Sequence, residues 1–219
     1  MENSKVLIYD GSFNGYLTSL YVALKENMVV SDFQKLNTTQ NGLFVESKMV
    51  VTQISKAKEV WTQIEKKGNT IIRNVYFAFL SEADGIEYML YNYVQGLFRT
   101  MSSEGVEQSV NLEHKIVQLA KMVSKEKHLM EAEIEFENNN DRIHIVEIEP
   151  GYNVLPLISR FFRFKHSKHQ WIIFDRKRNY GLYYNLSSVE IINSETKSWY
   201  MKSSALSNTF SQNEYRFAV

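Results

Sequence analysis

Glu149–Tyr184 reads EPGYNVLPLISRFFRFKHSKHQWIIFDRKRNYGLYY. It holds both prolines of the chain, Pro150 and Pro156. Pro150-Gly151 marks a turn. Pro156 suits the first turn of a short helix over Leu155–Phe164, where a missing N–H goes unmissed. Trp171–Phe174 is an apolar run of strand length, Asp175–Asn179 its turn, and Gly181–Tyr184 the returning strand. Val189–Ile192 adds one more strand. The C-terminal part therefore reads as one helix feeding antiparallel hairpins.

The same stretch is densely basic and aromatic. Across Arg160–Arg178, the cations Arg160, Arg163, Lys165, Lys168, Arg176, Lys177 and Arg178 face a single acid, Asp175. Phe161, Phe162, Phe164, Trp171 and Phe174 are interleaved with them. The chain as a whole has formal net charge zero, so the excess is offset elsewhere. Glu126, Glu131, Glu133, Glu135, Glu137, Asp141, Glu147 and Glu149 crowd the segment just upstream. Bulk charge does not make this a nucleic-acid-coating protein; any such binding has to come from a local patch.

Working outward, Lys5–Asp10 is a short β-rich run ending in an Asp-Gly turn. Ser12 can cap the helix that follows, whose apolar positions are Phe13, Leu17, Leu20, Tyr21 and Leu24. Residues 29–41 are polar and irregular. Leu43–Thr52 reads as strand, and Ile54, Ala57, Trp61 and Ile64 mark a helix stopping at Lys66-Lys67-Gly68. The middle is helical: a face from Ile72 to Leu80, a second from Ile86 to Met101, a loop at Ser102–Gly105, and a third helix carried by Leu112, Ile116, Leu119, Ala120 and Val123, with Lys115, Lys121, Lys125 and Lys127 on its polar side and its C-terminal end near His128. Ala132–Glu137 and Ile143–Ile148 alternate strictly around Asn138–Asp141, which predicts a β-hairpin with Glu133, Glu135 and Glu137 outward. The expected fold class is α+β: an N-terminal strand–helix unit, a helical middle and C-terminal antiparallel β-hairpins. Residues 1–192 are read as one domain, and 193–219 as a loosely packed or partly disordered polar tail.

Several function classes are excluded. Cysteine is absent, which removes disulfides, thiolate-held clusters, a cysteine nucleophile and Cys-type zinc sites. His166 and His169 are three apart, with no third ligand nearby in sequence, so no metal site is expected. No cofactor is implied. The N-terminus has no apolar leader and no run approaches the ~20 apolar residues of a membrane span, so a cytoplasmic protein without a membrane partner is expected.

Four segments together resemble a known family: Tyr9–Tyr21 (YDGSFNGYLTSLY), Ala78–Glu82 (AFLSE), Ile148–Leu157 (IEPGYNVLPL) and Trp171–Arg178, with its W-I-I-x-D-x-x-R pattern. The family is an uncharacterised bacterial one described as probable DNA-metabolism proteins. Its domain stands alone or fused to a uracil-DNA-glycosylase-like domain, and its genes accompany a putative DNA-modification or repair radical SAM protein. The carried-over positions are Tyr9, Asp10, Gly11, Ser12, Phe13 and Gly15; Glu149, Pro150, Asn153, Val154, Leu155 and Pro156; and Trp171, Asp175 and Arg178. Gly151-Tyr152 stands where relatives tend to have Asp-His, and Glu135 where they tend to have Arg. The resemblance implies DNA metabolism as the process, and makes DNA, a radical SAM DNA-modification or repair protein and a uracil-DNA-glycosylase-like protein the candidate partners.

Three functions fit these observations. The first is an accessory or nucleic-acid-binding domain in DNA modification or repair. Arg160, Arg163, Lys165, Lys168, Arg176, Lys177 and Arg178 would neutralise phosphates, and Trp171 would offer a stacking face. The same residues also fit a buried strand with a solvated hairpin end. The second is an enzyme, a hydrolase or lyase on a nucleotide or base, with Asp10, Glu149 and Asp175 as carboxylates and His144 nearby. Asp10 equally fits a turn residue bonding its own backbone, the reading favoured here. The third is a protein-interaction domain using the acidic hairpin.

Overall fold

The computed structural model describes residues 4–36, 46–98, 103–136 and 143–200. They form an α+β protein of two compact units, Met1–Val123 and Ser124–Val219.

The first unit begins with β1 (Lys5–Tyr9) and α1 (Phe13–Lys25). The Ser12 hydroxyl accepts the Gly15 N–H at 2.9 Å and so caps α1, as its position after Asp-Gly implies. β2 (Val30–Lys35) and β3 (Glu46–Met49) flank β1, all parallel, in the order β2-β1-β3. Then come α2 (Ile54–Glu65), α3 (Asn69–Phe79), α4 (Ile86–Phe98) and α5 (Ser103–Glu133). Leu7, Tyr9, Tyr16, Leu17, Leu20, Ile64, Ile86 and Leu90 are fully buried in this unit.

Two expectations for this half are corrected. Residues 30–35, polar and without a clear period in sequence, form β2. An edge strand here buries only Val30 and Phe33, too few apolar positions to show a period. The predicted loop at 102–105 gives way to helix from Ser103 on, and α5 runs on to Glu133, past the end expected near His128.

In the second unit α5 ends, and β4 (Ile143–Ile148), α6 (Leu155–Lys165), β5 (Gln170–Asp175), β6 (Tyr180–Tyr184) and β7 (Val189–Asn193) follow. The sheet order is β4-β5-β6-β7. β4 and β5 are parallel, bridged by α6, and β5-β6-β7 form the expected antiparallel hairpins. One face of the sheet packs Trp171, Ile173, Leu182 and Tyr184 against Leu155, Ile158 and Phe162 of α6. The other gathers Ile172, Phe174, Tyr183 and Ile192. Coverage of both faces explains the uninterrupted apolar run Trp171–Phe174.

The predicted hairpin of 132–148 does not form. Ala132 and Glu133 close α5, the Ile134 N–H continues the helical bonding to the Met130 carbonyl, and β4 pairs with β5 instead. Lys, Glu, Ala, Leu and Met are all strong helix formers, and over 124–133 that preference outweighs a short alternation. Glu133 and Glu135 are exposed, but not as a strand face. Glu137 and the turn at 138–141 lie outside the described residues. The tail does too from 201 onward, while 194–200 is helical. No helix among the described residues is long and apolar enough to cross a membrane.

Candidate nucleic-acid interface

The basic residues singled out in the sequence separate into two groups, one at each end of β5. The first belongs to α6 and the turn after it. Leu155, Ile158 and Phe162 anchor one side of this helix in the core. At about 100° per residue, positions two before and two after Phe162 lie roughly 200° around from it, on the solvent side. These are Arg160 and Phe164, about 40° apart on the same stripe. Arg163 and Lys165 flank them, and Lys168 follows the helix end. All four cations are exposed. None takes part in an ion pair or side-chain hydrogen bond among the described residues; Lys165 lies over the Phe161 ring at 5.5 Å. Arg163 and Lys165 in the last turn also suit the helix dipole, a local benefit of about 0.3–1 kcal/mol each.

The aromatic residues of α6 divide in the same way. Phe162 is fully buried, which stabilises the fold by about 1.5–3 kcal/mol relative to exposure. Phe164 is 87% exposed and gains almost none of that. Trp171, expected as a stacking platform, is corrected: it is 0% exposed, its ring packed near Phe136, Phe162 and Tyr184. A base cannot reach it.

The second basic group, Arg176, Lys177 and Arg178, is engaged with the chain itself. The Arg178 side chain is 9% exposed and donates to Asp175 Oδ2 at 2.9 Å, to the Pro150 carbonyl at 3.1 Å and to the Gly151 carbonyl at 3.0 Å. Lys177 Nζ donates to the Gly151 carbonyl at 3.0 Å. Arg176 donates to Glu149 Oε2 at 3.0 Å. From the other side, Glu126 accepts the N–H groups of Gly151 at 2.6 Å and Tyr152 at 2.9 Å. The Glu-Pro-Gly turn is thus held between one carboxylate and three cations. Its motif residues have a structural task, which the sequence spacing alone did not reveal.

The carboxylate candidates are also occupied. Asp175 is fully buried against Arg178, and its Oδ1 accepts the Arg178 N–H at 3.1 Å. Glu149 is exposed and paired with Arg176. Asp10 lies in the other unit, where it accepts Ser12 N at 2.9 Å, Ser12 Oγ at 2.7 Å and Thr52 Oγ1 at 2.7 Å. Burial works to raise the Asp10 carboxyl, but the bonds from Ser12 and Thr52 outweigh it and hold it below its ordinary value. Gly15 has to lack a side chain because a Cβ there would meet Asp10 Oδ1 at 2.1 Å. The favoured turn reading of Asp10 matches these contacts.

One grouping was missed. His144 sits beside Trp171 in the β4–β5 register, and its ring lies 5.2 Å from that of His169. Phe136 packs between His144 and His166, at 5.9 and 4.8 Å. His144 Nδ1, His166 Nε2 and Trp171 Nε1 are buried without hydrogen-bond partners among the described residues. Burial, and then the charges of Lys165, His144 and His169, push the His166 imidazole below its usual range. Only the i, i+3 spacing of His166 and His169 signalled this cluster in sequence. Among the described residues no group of three or more His, Asp or Glu side chains is placed to hold a metal ion.

A family model described as a domain of unknown function, DUF4130, matches residues 84–216. The match takes in both basic groups; the Tyr9–Gly15 and Ala78–Glu82 motifs precede it. No curated protein matches the chain.

Proposed function

The chain belongs to the DUF4130 family, a domain of unknown function, and from that premise we propose that it is a nucleic-acid-binding accessory domain in DNA modification or repair. The observation that carries this reading is the set of four exposed cations on and after α6, Arg160, Arg163, Lys165 and Lys168, without acid partners among the described residues. A cation that serves no partner within the protein is free to replace counterions on phosphate. The process, and a radical SAM protein or uracil-DNA-glycosylase-like protein as working partner, come from the resemblance of the Tyr9–Gly15, Ile148–Leu157 and Trp171–Arg178 motifs to DNA-metabolism proteins. Such partners must expose or extract a base, and an accessory domain that grips the strand beside it would serve them.

The enzymatic reading has less support. Asp10, Glu149 and Asp175 are each engaged by local donors. Asp10 belongs to a different unit of the chain from Glu149 and Asp175.

The test is fluorescence anisotropy with labelled DNA at two salt concentrations. Four phosphate contacts give a slope of log affinity against log salt of about −2.8 to −3.6. Affinity should then fall about 50- to 150-fold between 50 and 200 mM salt. An Arg160→Ala/Arg163→Ala/Lys165→Ala/Lys168→Ala variant should lose most of the binding while keeping its circular dichroism spectrum. Salt-insensitive binding, or full binding by the variant, would remove α6 as the DNA face.

A further inference from the structure

Phe164 lies on the solvent pole of α6, opposite the buried Phe162, and has no ring or cation contact among the described residues. It is the most exposed of the large apolar side chains among the described residues. Phe161 beside it is half turned toward the protein, its ring 5.1 Å from Phe162 and under Lys165. A phenyl ring this exposed gives folding almost none of its burial energy. What distinguishes the position is its surroundings. Arg160 stands one turn before it on the same stripe, Arg163 and Lys165 are its neighbours, and Lys168 follows.

We infer that Phe164 is a stacking platform for an unpaired base, and that the α6 face binds single-stranded nucleic acid in preference to duplex. The inference rests on the reading of α6 as the nucleic-acid face and adds the substrate class. A ring on a convex helix surface meets the face of a base only where that base has lost a stacking neighbour. In a duplex interior both faces of every base are covered, so the ring gains nothing and only the cations contribute. The helix rises about 7.5 Å from Arg160 to Lys165, room for one base and the phosphates on either side. An anionic membrane surface would also attract cations around a phenyl ring. It would need a wider apolar face than one ring with Phe161 half covered.

The experiment compares wild type, Phe164→Ala and Phe164→Tyr. The probes are a labelled single strand of about 20 nucleotides, the blunt duplex of the same sequence, and phosphatidylserine-containing vesicles. Phe164→Ala should weaken single-strand binding about 5- to 150-fold, the range alanine substitution gives for one stacked base. Duplex binding should change by less than about twofold, with the single-strand salt slope unaltered, because the phosphate contacts remain. Phe164→Tyr, which keeps the ring, should bind like wild type. Single-strand affinity unchanged in Phe164→Ala would overturn the inference. So would equal loss on duplex, the mark of a wedge between base pairs, or tighter binding to vesicles than to the strand. If wild type binds with steep salt dependence and only Phe164→Ala behaves as wild type, this inference alone falls. If wild type binds neither nucleic acid, the reading of α6 falls with it.

Discussion

The cations of α6 and those of the β5–β6 turn look alike in sequence, yet the protein uses them differently. Around Arg160–Lys168 each basic side chain ends in solvent without an acid partner among the described residues. Around Arg176–Arg178 the same chemistry is aimed inward, onto Asp175, Glu149 and the carbonyls of Pro150 and Gly151. The difference lies in what the backbone places within reach. A helix anchored on one side sends its outer residues to water. A tight turn beside the ends of two parallel strands meets carbonyls and carboxylates that require donors. Basic clusters therefore announce nucleic-acid contact only after the internal acceptors have been counted.

The most direct way to break this comparison is Arg178→Ala. It leaves the fully buried Asp175 carboxylate without its cation and frees the Glu-Pro-Gly turn. Removing one partner of a buried pair costs about 3–5 kcal/mol, so a large drop in thermal midpoint is expected. A shift no larger than that of the α6 four-cation variant would show the two groups to be equivalent. Glu126→Ala should come next. It removes an acceptor shared by Gly151 N–H and Tyr152 N–H, at about 1.5–3 kcal/mol, read by denaturant titration. No loss would mean that water holds the turn equally well.

The smallest effect is a pH dependence at His166, where α6 ends. Its folded-state value lies below that of an ordinary imidazole, about 6.5 in the unfolded chain. Between the two values the unfolded state binds more protons than the folded state, so stability rises with pH across that window. Acidification from pH 7.5 through 6.5 and below should lower the thermal midpoint. His166→Phe keeps a ring against Phe136 and should flatten that part of the profile. An unchanged slope would assign the sensitivity to other groups.

Much of the fold was legible because its periods are strong. The Ser12-capped helix, the apolar stripes of α2 to α4, and the α6-β5-β6-β7 succession all followed from spacing and turn residues. Two places were not legible, each for a physical reason. β2 is an edge strand with Val30 and Phe33 as its only buried apolar residues, so its period hides in polar noise. The alternation of Ala132–Glu137 imitated a strand, but helix preference carried α5 through Glu133, and β4 found a parallel partner far along the chain. Long-range parallel pairing leaves little trace in local pattern. The same limit applied to the site. The α6 cations could be named from sequence, whereas the internal bonds of Arg178 and the burial of Trp171 depend on contacts that spacing does not encode.

The central claim is that phosphate contact belongs to α6 and not to the turn. It is tested most directly by measuring salt slopes of single-strand binding for two variants side by side. One is Arg160→Ala/Arg163→Ala/Lys165→Ala/Lys168→Ala; the other is Arg176→Ala/Lys177→Ala, which spares the buried Arg178. The first should lose about 0.7 of slope per cation removed, and the second should keep the wild-type slope. A slope lost in the second variant and retained in the first would contradict the account.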